Sequence, residues 1–471
     1  MRRYLLLLLT LVLGTSCVPQ KQWRTKPVLS SPSAPANLED GFFIGPDAAK
    51  NRLYSLSFVE FGNDGRAWNP QQLDEAIKAI DEADRRSNHH ALVLVFIHGW
   101  KNNAGQSNNN VVDFRKQINR MASDVCGKNI ATCGVAGIYF GWNGDAVKRE
   151  WGTLRQASLF DRRGVARQVA SGDIGKSLLA VMKRVKEGSG REGNRSVVVG
   201  HSFGGLILEA AIAPKLKQAG DEIHDHIGKS RANVGALDVP VLRELADLIV
   251  LINQASPAVE AVNLLADYRQ DLQQVHFLLP PRKLNCAQGD TNQDCKSLTR
   301  PLIMAISSES DLATSTLLPI SEKLSPSKLK QNPGIKLPDG LDEKKVSTTA
   351  SAHTPQLYSH HLVECDGEDC APCLKRDRYY IPIRIDKLPA FARGNETHKD
   401  RRLNYCLERD FRAWNQTPYW VFRLPTAIVP DHSEIFTDRF TDFLTAFLPP
   451  LGEVQKTLAP NRPTTKVGAG R

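Results

Sequence analysis

No apolar run in these 471 residues is long enough to cross a bilayer. The longest, Leu5–Leu13, falls well short of a spanning helix, which excludes a polytopic membrane protein. There is no massed run of basic residues either. The chain carries 61 Lys+Arg against 51 Asp+Glu, a net charge of +10, but cations and acids are interleaved, and nothing in the pattern points to a nucleic-acid partner. No internal repeat is visible. A hydrophobic share of 41% and a charged share of 24% exclude wholesale disorder. The length suffices for a sizeable core and suits one large decorated domain or two to three small ones. Cysteines number nine, so they cannot all pair within the chain.

The chain opens with a targeting pattern. Arg2 and Arg3 form a cationic start, Leu5–Leu13 an apolar centre, and Gly14-Thr15-Ser16 a small-residue stretch before Cys17. This resembles a bacterial lipoprotein signal, although Gly14 stands where that family usually has a larger apolar residue. The resemblance implies a signal peptide over residues 1–16, lipidation of Cys17, export, and residence in the bacterial cell envelope. An ordinary secretory signal would imply export without the lipid. With Cys17 set aside, eight cysteines remain for a disulfide-permissive compartment. Cys126 and Cys133, Cys286 and Cys295, and the group Cys365, Cys370, Cys373 and Cys406 suit local disulfides. Cys365-x4-Cys370-x2-Cys373 lies near His360 and His361, and the alternative reading of that cluster is a zinc site. The spacing is irregular and the compartment oxidising, so no metal is expected.

Residues 17–50, rich in Pro, Ser and Lys beyond Cys17, form an expected flexible tether. A single domain is expected over residues 51–450, followed by a basic C-terminal tail, 451–471. Within the domain, short apolar runs alternate with helical patterns. Ala91–Ile97, Val135–Phe140, Ser196–Val199, Asp247–Ile252, Pro301–Ile306 and Tyr419–Leu424 suit strands buried on both faces, with Arg52–Phe61 as an outer strand. Helices are expected over Gln71–Arg86, Val111–Val125, Ile174–Val185, Gly205–Leu216, Ala258–Val275 and Glu434–Leu448. Alternation of this kind means an α/β domain with a mostly parallel central sheet. Trp142–Ala170 and Leu318–Pro418 do not fit a minimal unit. The latter reads as an insertion (about 318–418) before the last strand. Its first half, near Ser325–Ser351, is expected to be mobile, and its second half to fold as a small stapled subdomain.

Gly200-His201-Ser202-Phe203-Gly204 joins an apolar strand to a helical pattern, the setting of a nucleophile elbow. A serine on so tight a turn needs close-packed neighbours without side chains, which Gly200 and Gly204 supply. The following helix presents its positive end to the serine. His98-Gly99-Trp100 ends an earlier strand. Acyl transfer needs two backbone N–H groups facing the oxyanion, and Phe203 and Trp100 are the candidates. The His98 side chain is expected to shape that loop. A serine also needs a base, and the base needs an orienting carboxylate. His432 lies between the last strand and the last helical pattern, whereas His353, His360 and His361 lie in the polar insertion. Asp311 follows the fifth strand and could equally cap a helix. Glu309 is the next choice of acid, then Asp431.

With these residues, the sequence resembles the α/β-hydrolase superfamily, in particular bacterial serine esterase/lipase-like members with an H-G-[FW] oxyanion loop and a G-H-S-x-G elbow. The match covers roughly Leu92–Leu317 and Tyr419–Leu448. It implies a Ser202, Asp311, His432 triad in the chain order usual for that fold, and hydrolysis of carboxylic esters through an acyl-enzyme without a cofactor. The implied partners are an ester or lipid-like small molecule and, through the lipid anchor, a membrane. Acyltransferase or thioesterase chemistry would use the same residues. A non-catalytic lipoprotein could use the same shell for binding.

Overall fold

A computed structural model of the chain describes residues 20–25, 54–126, 134–145, 152–229, 245–272, 301–324, 331–332, 335–365, 378–384, 402–410, 419–448 and 451. The signal segment, Cys17, most of the tether and the tail beyond residue 451 lie outside them. So do Cys133, Cys286, Cys295, Cys370 and Cys373.

Each of the seven expected apolar runs is a strand: β1 (Tyr54–Phe61), β2 (Leu92–Ile97), β3 (Val135–Trp142), β4 (Arg195–His201), β5 (Leu248–Ile252), β6 (Ile303–Ser308) and, after three strands of another sheet, β10 (Tyr419–Leu424). They form one sheet in the order β1-β3-β2-β4-β5-β6-β10, with every pairing parallel. The pleat sends alternate residues to opposite cores. Leu92, Leu94 and Phe96 pack with Phe114 and Phe440 on one face; Val93, Val95 and Ile97 pack with Ile80, Val181 and Leu206 on the other. Burial on both faces explains why these strands are unbroken apolar runs.

The helices are α1 (Gln71–Arg86), α2 (Asn109–Cys126), α3 (Gly152–Ala170), α4 (Asp173–Lys186), α5 (Phe203–Lys229), α6 (Ala258–Leu272), α7 (Leu318–Leu324), α8 (Glu343–Thr348) and α9 (Asp438–Phe447). Three expectations need correcting. Most of Trp142–Ala170 is the helix α3, which puts Ala166 and Val169 into the core. Its buried face also carries Arg162 and Arg163, so no apolar stripe announces it. The last helix starts at Asp438 rather than Glu434, because Thr437 caps it by accepting from Phe440 N at 3.0 Å. Asp431 Oδ1 meanwhile holds Ser433 N and Glu434 N in a turn, at 2.6 and 2.8 Å. The described part of 325–351 is packed. Val346 and Ala350 are fully buried, and Ala258 N donates to Thr349 O at 2.7 Å.

The expected tether is also held down at one point. Trp23 N and Arg24 N donate to the buried Glu60 carboxylate at 2.8 and 2.9 Å, and Arg24 Nε donates to Ala104 O at 2.8 Å. Between β6 and β10, β7 (His360–Cys365), β8 (Arg378–Arg384) and β9 (Arg402–Arg409) form an antiparallel sheet in the order β7-β9-β8. Cys365 and Cys406, on β7 and β9, are each disulfide-bonded. Among the described residues, no helix is long and apolar enough to cross a membrane, and no three His, Cys, Asp or Glu side chains gather as a metal site.

Candidate active site

Because the sheet is parallel, β4, β6 and β10 all end at one edge, where open α/β sheets place their ligands. Ser202 follows β4 there with φ +56°, left-handed backbone that a non-glycine residue adopts only when its surroundings enforce it. The enforcement is visible. Ser202 N donates to Ile252 O at 3.1 Å, and Ser202 O accepts from Gly205 N at 3.0 Å and Ala255 N at 3.1 Å. A Cβ on Gly204 would lie 2.0 Å from Ile97 O, and one on Gly200 would lie 2.6 Å from Gly204 O. The turn therefore closes only with glycine at both flanks.

Three expected residues, 109 and 121 positions apart along the chain, meet at this edge. Ser202 Oγ lies 3.1 Å from His432 Nε2, and His432 Nδ1 lies 2.8 Å from Asp311 Oδ1. The Asp311 side chain is wholly buried, whereas that of His432 is about one-fifth exposed. Burial alone would raise the Asp311 pKa. Hydrogen bonds from His353, His432 and Thr314 outweigh it and hold the carboxyl well below the usual range. Asp311 Oδ1 also accepts from Thr314 N at 3.0 Å, so one carboxylate both closes the turn that follows it and meets the histidine. Glu309 is exposed, and the Asp431 carboxylate is spent on its turn.

Sequence reasoning set His353 aside, gave no role to Asn253 or Ser308, and named His201 only as part of the elbow. His353, discounted for its place in the polar segment, brings Nε2 to 3.3 Å from Asp311 Oδ2 and 2.8 Å from Thr314 Oγ1. Asn253 donates from Nδ2 to His432 O at 3.0 Å and Asp431 O at 3.2 Å, and its Oδ1 accepts from Ser308 N at 2.8 Å. Ser308 Oγ donates to Val429 O at 2.7 Å. His201 Nε2 donates to His432 O at 2.7 Å. The loop carrying His432 is thus pinned through its carbonyls, which leaves both its ring nitrogens for Ser202 and Asp311. The one local signal for Asn253 was an asparagine directly after a buried strand, where its φ is +48°.

His98 is fully buried, with its ring stacked on Trp142 (5.6 Å, 6°) and Tyr139 (5.4 Å, 22°). Its Nε2 accepts from Trp142 N at 3.0 Å, so Nδ1 carries the proton and donates to Gly99 O at 2.9 Å. The side chain shapes the loop that presents Trp100.

Burial lowers the pKa of His98 to about 4 and, with the nearby His432, that of His201 to about 3; burial also lowers His360 to about 3. An unfolded histidine titrates near about 6.5. Below that pH the unfolded chain binds protons that the folded chain refuses, so these histidines lower stability down to about pH 4 for His98 and about pH 3 for His201 and His360. Burial beside Glu209 raises Glu260 to about 8, which costs stability as pH rises toward that value. Glu209 and Glu60, likewise raised by burial, act with Glu260 against the histidines, so the fall on the acid side is the net of the two sets. Tm is expected to peak near about pH 6.5. Thermal unfolding across pH 4.5 to 8 checks this, and a Tm level from pH 6.5 to 4.5 would contradict it.

A cavity of about 670 Å³ opens over Ser202, His432 and Phe203, and Trp100 lines the same space. No family model matches the chain, and no curated protein matches it. Among solved structures, it is similar to that described as a crystal structure of an uncharacterized protein from Pseudomonas aeruginosa, at 11% identity and a TM-score of 0.18. The alignment covers 54% of this chain and 42% of that one, so the chain spans under half of that protein. A likeness this slight says nothing about fold or activity.

Proposed function

We propose that this protein is a serine hydrolase that cleaves carboxylic esters through an acyl-enzyme, on an α/β-hydrolase fold. The observation that carries the reading is the hydrogen-bonded line Ser202–His432–Asp311 at the C-terminal edge of a parallel sheet, with the serine on a left-handed strand-to-helix turn. The neighbouring order β3-β2-β4-β5-β6-β10, with the acid after β6 and the base after β10, agrees with that fold. The chain between β6 and β10 is then an insertion that returns His353 to the acid.

His432 Nε2 takes the Ser202 proton as Oγ attacks the carbonyl carbon. Asp311 accepts from Nδ1–H, fixing the tautomer and stabilising the imidazolium. The Phe203 and Trp100 backbone N–H groups face the oxyanion. The imidazolium returns its proton to the leaving alcohol as the C–O bond breaks. His432 then takes a proton from water, whose oxygen attacks the acyl carbon. Release of the acid restores Ser202–OH. Overall, one ester and one water give one acid and one alcohol, and no step calls on a cofactor. We place the enzyme at the cell envelope, anchored through Cys17.

A fluorophosphonate probe is expected to label wild-type protein at Ser202 alone, with peptide mapping as the readout. Failure to label the folded protein would favour a binding protein on the same shell.

A further inference from the structure

The cavity over Ser202 has two unlike walls. One is apolar and includes Leu159 on α3, Leu318 at the start of α7 and Leu317 just before it. These helices form one unit, because Arg163 donates from Nη1 to Ser321 Oγ at 3.1 Å and pairs with Glu322. Trp100 joins the same wall through Nε1, which donates to Ser158 Oγ at 3.1 Å. The other wall is mostly polar, with Asn109, Asn110 and Asp113 from α2, Ser433 and Glu434 from the loop after the base, and Phe436 as its apolar member. It too is one unit. Phe436 packs on Phe114 at 6.4 Å, and Arg120 pairs with Asp442 at 3.2 Å. Asn110 is nine-tenths buried, and among the described residues its Oδ1 accepts no hydrogen bond.

We infer that the apolar wall takes the acyl group and the polar wall the alcohol, so that the substrates are acyl esters of a polyhydroxylated alcohol such as glycerol or a sugar. This rests on the hydrolase reading. The leaving oxygen must collect its proton from His432 Nε2, so the alcohol departs on the side of the base. Ser433 and Glu434, which continue the chain from His432, belong to the polar wall. Asparagine amides donate and accept, as a hydroxyl requires, and the two carboxylates accept from hydroxyls. A plain alkyl alcohol would cover these groups without satisfying them, a loss of about tenfold or more in binding.

The test uses the full chain carrying Ser202→Ala, which holds esters intact. Glyceryl monobutyrate and ethyl butyrate are titrated separately by calorimetry. The glyceryl ester is expected to bind at least about tenfold tighter. Asn110→Leu, or Glu434→Leu at an exposed position, is expected to bring the ratio toward one. Equal affinities for the two esters would overturn the inference. Wild-type turnover of the same pair reports the hydrolase reading separately. Cleavage of both without preference sinks the polyol assignment alone. Preferential binding with no cleavage of either sinks the hydrolase reading and leaves polyol recognition standing.

Discussion

Ser202→Ala is expected to lower turnover of a short p-nitrophenyl ester by about 10⁵–10⁶-fold while leaving the fold intact. The size of the effect follows from the proposed mechanism, in which Oγ forms the covalent bond; a methyl group cannot, so only binding and oxyanion stabilisation remain. The fold should survive because the backbone, not the hydroxyl, holds the turn. Ser202 N and O make their bonds to Ile252, Gly205 and Ala255 whatever the side chain, and alanine retains the Cβ. Steady-state kinetics with circular dichroism on the same preparation separates the two claims. Undiminished turnover by the variant would remove Ser202 from the mechanism. Collapse of the fold would show that the hydroxyl supports the turn.

Asp311→Asn is expected to cost about 10⁴-fold in kcat, although the change is nearly isosteric. The native carboxylate accepts from four donors: His432 Nδ1, Thr314 N, Thr314 Oγ1 and His353 Nε2. An amide has only one oxygen. If its NH₂ faces His432, Nδ1 must become the acceptor and Nε2 the donor, and the imidazole can no longer take the serine proton. If its NH₂ takes the Oδ2 place, facing Thr314 Oγ1 and His353 Nε2, donors oppose donors at a fully buried site. The first arrangement removes activity and the second stability, so kcat and Tm should be measured together. A variant unchanged in both would strip Asp311 of its role and reopen the case for Glu309.

Much of the fold was legible because its signals are local. Strands buried on both faces must be apolar at every position, so Leu92–Ile97 and Leu248–Ile252 stand out from their surroundings. The α1 helix shows its face through Leu73, Ile77 and Ile80. What the sequence hid is burial won by other means. α3 buries two arginines against partners that are distant in sequence. The 335–351 stretch is held by a backbone bridge from Pro257 to Ala350 and a few small side chains, and neither leaves a periodic trace. Trp23 and Arg24 looked like tether because their partner, Glu60, lies more than thirty residues away.

The sequence by itself determined the parallel sheet, the serine on its glycine-flanked turn, and the chain order of Ser202, Asp311 and His432. These depend on residues adjacent in the chain, where sterics and hydrophobic patterning act directly. Only the tertiary structure decided that Asp311 and His432 meet Ser202, because proximity across more than a hundred residues comes from strand order. It also brought His353 onto the acid and set Asn253 and His201 beneath the base. Each of those side chains acts through a carbonyl or carboxylate that no local pattern places near it. The long apolar span this chain lacks is consistent with its structure, in which the apolar surface is spent on seven short strands covered from both sides.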